Sequence, residues 1–201
     1  VIIPMIVNVG TTITVTNSKF NGDNSSKSYI SGSYTPAGTG EFNSLVTAIN
    51  QASNNKVFLK NKTYVLTSDT GNKDIIINQP YTFYGGNDIG GGKDDGTTST
   101  INGAGLYRIF QIQSANVKFV NINFINGLAG YGAAIYMAGS GYSATFINCT
   151  FTNNVANNRY GGAIYINQGT ISLINCTFTN NLVSYGSATT LGGGAIHVAN
   201  G

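Results

Sequence analysis

The sequence is poor in charge, and its carboxylate side chains end before the midpoint of the chain. Only 8% of the 201 residues are charged, against roughly a quarter in an average globular domain. No Asp or Glu follows residue 95. The seven that occur are Asp23, Glu41, Asp69, Asp74, Asp88, Asp94 and Asp95. Beyond residue 95 the chain therefore lacks the paired acids of a glycoside hydrolase and the acid of a Ser/His/Asp triad.

Other residue types that define sites are also scarce. Two Cys and one His are too few for a zinc site. The net charge of +3 comes without a run of Lys or Arg, so nucleic acid is not an expected partner. No apolar run reaches the roughly 18 residues of a membrane helix. No cofactor or metal is indicated; Asp88, Asp94 and Asp95 in the Gly-rich loop 85–96 are weak candidates for Ca²⁺.

The residues that are abundant favour strands and tight turns. The chain has 27 Gly, 12 Tyr and 10 Phe, together with many Asn, Thr and Ser. Aromatic and β-branched residues prefer strands, and Gly, Asn and Ser prefer turns. The composition predicts an all-β protein.

The second half of the chain contains internal repeats. Eight residues, INCTFTNN, occur at 147–154 and again at 174–181. A related segment precedes them, so that Phe124, Phe151 and Phe178 are spaced by 27 residues. A second element, GAAIY, GGAIY and then GGAIH, begins at 132, 161 and 193, so the extra residues lie within 182–192. Fixed strands with one variable loop predict the coils of a parallel β-solenoid.

Apolar and polar residues alternate within each unit, which predicts one inward and one outward set. Stacked coils would align each set into ladders of like side chains. The predicted core ladder is Ile122, Phe124, Ile147, Cys149, Phe151, Ile174, Cys176 and Phe178. The predicted outer ladder is Asn121, Asn148 and Asn175. His197 replaces Tyr136 and Tyr165 at one repeat position, so it is interpreted as a ladder variant.

The region before the repeats predicts a cap and further coils. Phe42, Leu45, Val46, Ile49 and Ala52 have the spacing of one helix face. We therefore expect a helical cap over 41–55, coils over 56–201 with clear repeats from 115, and one β-helix domain over 40–201. Residues 1–39 are expected to form an N-terminal strand or extension.

The pairing of G-G-A-I with F-x-x-N resembles the repeat of the chlamydial polymorphic outer-membrane proteins. It occurs as Gly161–Ile164 with Phe151–Asn154, and as Gly193–Ile196 with Phe178–Asn181. The layout of helix, strands and repeats is similar to adhesin-like surface proteins of methanogenic archaea. These resemblances cover roughly 40–201. They imply a right-handed, single-stranded parallel β-helix, secretion, and an adhesive or structural role at the cell surface.

The two cysteines have two readings. Cys149 and Cys176 lie 27 residues apart, so they occupy equivalent places on adjacent coils. Strand spacing of about 4.8 Å would allow a disulfide, and an extracellular compartment would permit it. Ile122 fills the same place in the preceding repeat, however, which favours a buried apolar slot with free thiols.

Four N-x-S/T triplets occur, at Asn24, Asn61, Asn148 and Asn175. A glycan on Asn148 or Asn175 would have to fit beside the next coil, so a ladder role is favoured for these two. Asn24 and Asn61 are the candidates for glycosylation.

These observations favour a non-enzymatic extracellular rod with a structural or adhesive function. Carbohydrate or another cell surface is the expected target. The alternative is a polysaccharide-active enzyme similar to pectate lyases or glycoside hydrolases on the same fold, which the missing carboxylates disfavour.

The ends of the chain suggest self-association. The chain stops where a further strand is due, and an open coil end exposes unpaired backbone groups. One reading is a fragment of a longer solenoid. The other is a head-to-tail filament, in which an N-terminal strand adds to the open coil of the next subunit. The candidate assembly residues are Val1, Ile2, Ile3, Ile6, Val7 and Val9.

Overall fold

The computed structural model describes residues 6–8, 13–21, 42–66, 74–184 and 192–199. These residues form one helix, α1 (Phe42–Asn50), and strands of two to 13 residues. The strands are β1 (Ile6–Asn8), β2 (Ile13–Thr16), β3 (Lys19–Asn21), β4 (Lys56–Phe58), β5 (Thr63–Val65), β6 (Ile75–Ile77), β7 (Thr82–Tyr84), β8 (Ser99–Asn102), β9 (Phe110–Ile112), β10 (Val117–Val120), β11 (Ile122–Ile125), β12 (Leu128–Tyr131), β13 (Ile135–Ile147), β14 (Thr150–Thr152), β15 (Val155–Tyr160), β16 (Ile164–Ile174), β17 (Thr177–Thr179), β18 (Leu182–Val183) and β19 (Ile196–Val198).

These strands stack into a parallel β-solenoid, as the repeats predicted. One sheet runs β3-β17-β14-β11-β8-β5, and we call it the straight sheet. A larger sheet runs β1-β19-β16-β13-β10-β7-β4, with β2 on β16 and with β9 joining β6 to β13. A third sheet contains β12, β15 and β18. Strands that are equivalent in successive coils thus pair in parallel with one another.

Left-handed asparagines form the corners between the sheets. Asn121, Asn148 and Asn175 have φ of 57°, 52° and 52°, a conformation that Asn tolerates better than most residues. This turn interrupts the two-residue alternation along each coil. The prediction that Ile147 and Ile174 lie in the core is therefore wrong: both are only partly buried, whereas Phe146 and Leu173, one residue earlier, are fully buried.

Stacked phenylalanine rings fill the interior. The ring centroids of Phe124 and Phe151 lie 4.9 Å apart, and those of Phe151 and Phe178 lie 4.6 Å apart. A second stack joins Phe83 to Phe119 at 4.9 Å and Phe119 to Phe146 at 4.8 Å. Each large side chain buried in this way stabilises the fold by roughly 1.5–3 kcal/mol. Cohesion between coils therefore comes from contacts between like side chains.

The helix covers the first coil. Leu45 and Ile49, four residues apart on one helix face, are buried, and α1 packs on β4 and β5. The helix ends at Asn50, earlier than the predicted residue 55. Asn54 and Asn55 then adopt positive φ of 49° and 58° and turn the chain into β4.

The N-terminal strands lie at the opposite end of the solenoid. β1 pairs with β19, β2 with the second half of β16, and β3 with β17. The segment expected as an extension therefore contributes strands to the same sheets as the coils. Of the candidate assembly residues, Ile6 and Val7 lie in β1, while Val1, Ile2, Ile3 and Val9 lie outside the described residues.

Candidate functional site

The two cysteines stack inside the solenoid as free thiols. Cys149 and Cys176 are both fully buried. The Cys149 thiol donates to the Phe119 carbonyl at 3.5 Å, and the Cys176 thiol donates to the Phe146 carbonyl at 3.4 Å. Burial raises the pKa of the Cys149 thiol well above its usual value. The hydrogen bond with Cys149 lowers the pKa of the Cys176 thiol. Both sulfur atoms are nevertheless buried away from reagents in solution, and Ile122 occupies the same buried place one coil earlier.

The outer asparagine ladder runs along a corner and ends on a carboxylate. The Asn175 amide donates to Asn148 Oδ1 at 3.3 Å, and the Asn148 amide donates to Asn121 Oδ1 at 3.3 Å. The Asn121 amide lies 3.4 Å from Asp94 Oδ2. A glycan on Asn148 or Asn175 would replace an Nδ2 hydrogen of this ladder and set a bulky group against the next rung.

A second amide ladder lies inside and explains the Asn of the F-x-x-N motif. Asn154 and Asn181 are almost fully buried. Asn181 Oδ1 accepts from the Asn154 backbone N–H at 3.1 Å, and Asn154 Oδ1 accepts from the Gly127 N–H at 2.9 Å. Asn154 Nδ2 donates to the Phe124 carbonyl, and Asn181 Nδ2 donates to the Phe151 carbonyl. Each amide thus accepts from a backbone N–H and donates to a backbone carbonyl near a corner, a role that sequence reasoning missed.

Aromatic rings form a third ladder on another face. Tyr136 stacks on Tyr165 at 5.5 Å, and Tyr165 stacks on His197 at 5.6 Å with an interplanar angle of 8°. His197 therefore takes the ladder position that the repeats predicted for it. Burial lowers the pKa of His197, and its Nδ1 is buried without a hydrogen-bond partner in the described part of the chain.

A charged pair closes one end of this aromatic ladder. The Arg108 guanidinium lies 4.7 Å from the centre of the Tyr136 ring and forms an ion pair with Asp74. It also donates to the carbonyls of Tyr131 and Gly132. Ring faces are thus covered by other rings or by the cation, so the ladder presents mainly ring edges to solvent. Sequence reasoning did not find this ion pair, because its two members are 34 residues apart in the chain.

The acidic loop uses its carboxylates to stabilise turns. Asp95 Oδ1 accepts from the Thr97 hydroxyl at 2.6 Å and from the Asn87 N–H at 3.0 Å. These hydrogen bonds, led by the Thr97 hydroxyl, hold the pKa of Asp95 below its usual value. Asp88 accepts from the Gly90 N–H at 2.8 Å. Among the described residues, no group of three or more His, Cys, Asp or Glu side chains could hold a metal ion.

The glycosylation candidates are Asn61 and Asn24. Asn61 is exposed in a turn between β4 and β5, with φ of 52°, so its amide faces solvent. Asn24 lies outside the described residues.

The last coil is covered by a copy of the repeat that sequence reasoning missed. Phe20 stacks on Phe178 at 4.8 Å and 11°, and Asn17, with φ of 50°, continues the line of left-handed Asn corners above Asn175. The Ser18 hydroxyl accepts from the Cys176 N–H at 3.0 Å. The spacing V-x-N-x-x-F at 15–20, matching L-x-N-x-x-F at 173–178, was the available signal.

The fold and its ladders define a repeat protein of the parallel β-solenoid class. Residues 148–167 and 175–199 match the repeat of the Chlamydia polymorphic membrane proteins. These two segments, under a quarter of the chain, contain the G-G-A-I and F-x-x-N elements, so the resemblance to that repeat is confirmed there. No curated protein and no solved structure matches the chain. The resemblance to archaeal adhesin-like proteins stays a prediction.

In the described ranges, no helix is both long and apolar enough to cross a membrane.

Proposed function

We propose that the chain is a non-enzymatic, secreted protein of the cell surface that acts as a rigid structural and adhesive rod. The observation that carries this proposal is the match of two coils to the repeat of the polymorphic membrane proteins. An adhesin-like role of the kind suggested by the archaeal resemblance is part of the same proposal.

The use of polar side chains along the rod supports a structural role. The Thr150 hydroxyl donates to Asn123 Oδ1 at 2.7 Å, and the Asn123 amide donates to the Thr100 hydroxyl at 3.2 Å. These groups pair along the solenoid axis and do not converge on a cavity. The loop carboxylates are likewise occupied by turns. An arrangement of this kind suits a rod better than an enzyme, which needs groups aimed at one reacting atom.

The outward face of the straight sheet is the adhesive surface in this proposal. From β5 to β17, its outward side chains are uncharged: Thr63, Val65, Thr100, Asn123, Ile125, Thr150, Thr152, Thr177 and Thr179. Hydroxyl and amide groups therefore repeat at the strand spacing of about 4.8 Å. Such a neutral row favours carbohydrate or another cell surface, which can pair with many weak donors and acceptors at once.

Self-association completes the proposal. The rod extends head-to-tail, with the N-terminal strands of one copy on the last coil of another. The position of β1, β2 and β3 on that coil within one chain supports the fit of these strands to that end.

The adhesive role is tested by binding of the purified chain to a glycan array and to whole cells. Thr150→Lys places a bulky cation on the straight sheet, and Thr145→Lys does the same on the larger sheet of the same coil. Loss of binding with Thr150→Lys and retention with Thr145→Lys is expected. Absence of binding by the parent, or equal loss in both variants, would contradict the role. Polygalacturonate should stay uncut with and without Ca²⁺.

A further inference from the structure

The N-terminal strands β2 and β3 follow the pattern of the repeat and pack on the last coil, although they come first in the chain. Val15 pairs with Leu173, and Phe20 pairs with Phe178. The Lys19 N–H donates to the Cys176 carbonyl at 2.8 Å, as the Thr177 N–H donates to the Cys149 carbonyl at 3.0 Å one coil earlier. We call residues 6–8 and 13–21 the closing coil. It occupies the place that a coil after β19 would fill.

The chain order requires this closing coil to be joined to the far end of the rod. In the straight sheet, β3 and β5 are the two outermost strands, separated by five strand spacings, or about 24 Å. The next described element after β3 is α1, which packs at the β4 and β5 end. Twenty residues, 22–41, connect the two. That number could span up to roughly 66 Å when extended, so the intramolecular connection is feasible.

The same connection is also feasible between two copies stacked end to end. If the α1 end of one copy faces the last coil of another, only the closing coil lies between α1 and that last coil. Packed helices lie about 8–10 Å from their neighbours, well below the 24 Å of the intramolecular route. Pairing contacts would be identical in both arrangements, because the same strands meet the same coil.

End-to-end stacking would also cover surface that the closing coil leaves open. Phe20 and Ile13 are only half-buried, and Val15 is 39% exposed, although its partner Leu173 is fully buried. On the other end, Val46 and Ala48 of α1 are half-buried. Contact between these two ends would bury apolar surface that a single copy leaves in water. Within one copy, the connection holds the closing coil near the last coil at an effective concentration of about millimolar. The additional burial favours the intermolecular form once the local concentration of the protein approaches that value.

We propose that the closing coil is exchanged between copies of this chain, so that residues 13–21 of one copy complete the last coil of the next in the register seen here. This inference rests on the self-association part of the proposed function. The partner is a second copy, and each exchange leaves a new open end on the neighbour, so the assembly grows as a linear filament.

The exchange is tested by disulfide trapping between two different chains. One chain carries Asn21→Cys and the other carries Thr179→Cys, positions that pair in register. Both are made in a background with Cys149→Val and Cys176→Val, since the equivalent slot already accepts Ile122. Mixing the differently tagged chains at high concentration under mild oxidation should give a covalent heterodimer. The matched control replaces Thr179→Cys with Thr152→Cys, one coil away, and should lose that product.

Each outcome decides the proposal. A heterodimer with Thr179→Cys and its loss with Thr152→Cys support exchange, and the yield should rise with protein concentration. A single chain carrying both Asn21→Cys and Thr179→Cys reports the intramolecular pairing. If it cross-links only within itself and the mixture gives no heterodimer, exchange is overturned. Filaments in electron micrographs without this cross-link would overturn exchange while leaving self-association, and glycan binding is measured independently of both.

Discussion

Replacing Phe151 should reveal how much of the stability lies in the stacked rings. This side chain is fully buried and stacks on Phe124 at 4.9 Å and on Phe178 at 4.6 Å. A buried Phe→Ala change costs about 3–5 kcal/mol. The two parallel stacks, which contribute about 0.5–1.5 kcal/mol each beyond burial, place Phe151→Ala in the upper half of that range.

The measurement is the free energy of unfolding from urea titration followed by circular dichroism. Phe151→Leu keeps most of the apolar contact, so we expect a loss of only about 1–2 kcal/mol. Thr152→Ala, the outward neighbour, should cost within about 0.5 kcal/mol. Phe151→Asp should prevent folding, because it buries a charge without a partner. If Phe151→Ala and Thr152→Ala cost the same, the ring ladder is not the main source of cohesion between coils.

Three further predictions concern the other ladders. A thiol reagent should fail to label Cys149 and Cys176 in the native protein and should label both after unfolding without reductant; labelling of neither after unfolding would indicate a disulfide. Burial lowers the pKa of His197 below its usual 6.5, because the folded state favours the neutral ring. The contribution of His197 to the free energy of unfolding should therefore be fully present above pH 6.5 and should be lost as the pH falls below that value. The melting temperature of His197→Tyr, which restores the residue of the other coils, should depend less on pH between about 5 and 7, and equal pH dependence would contradict this. Asn154→Ala should lower the free energy of unfolding by roughly 1–3 kcal/mol for each buried backbone group it leaves unpaired. Asn158→Ala changes an exposed Asn that has no positive φ, so it should cost clearly less by urea titration.

The constant spacing of the repeats made the fold predictable. Phe124, Phe151 and Phe178 recur at one interval, and like residues at one interval stack only if successive coils are parallel and in register. The Cys position could also be interpreted, because Ile122 showed which kind of side chain the slot accepts.

Local backbone conformation limited the rest of the prediction. Alternation of inward and outward residues predicted that Ile147 and Ile174 lie in the core. The left-handed turn at the following Asn interrupts this alternation, so Phe146 and Leu173 point inward instead. A left-handed corner depends on the neighbouring coil as well as on the Asn itself. The inner ladder of Asn154 and Asn181 was hidden for the same reason, because its partners are backbone groups of other coils.

The closing coil was missed because of its substitutions and its place in the chain. Ser18 and Lys19 stand where the repeats have Cys and Thr, and a helix separates them from the other coils. Only Asn17 and Phe20 keep the pattern, which is too little to recognise without the register.

The equivalence of successive coils makes the length of this rod adjustable in whole steps. The coil boundary between β14 and β17 places Phe, Cys and Asn on Phe, Cys and Asn, so an extra copy of residues 148–174 would meet its own side chains above and below. Such a duplication should lengthen the solenoid by about 4.8 Å without creating an interface of a new kind. A longer or shorter rod would therefore be held together by the same set of contacts.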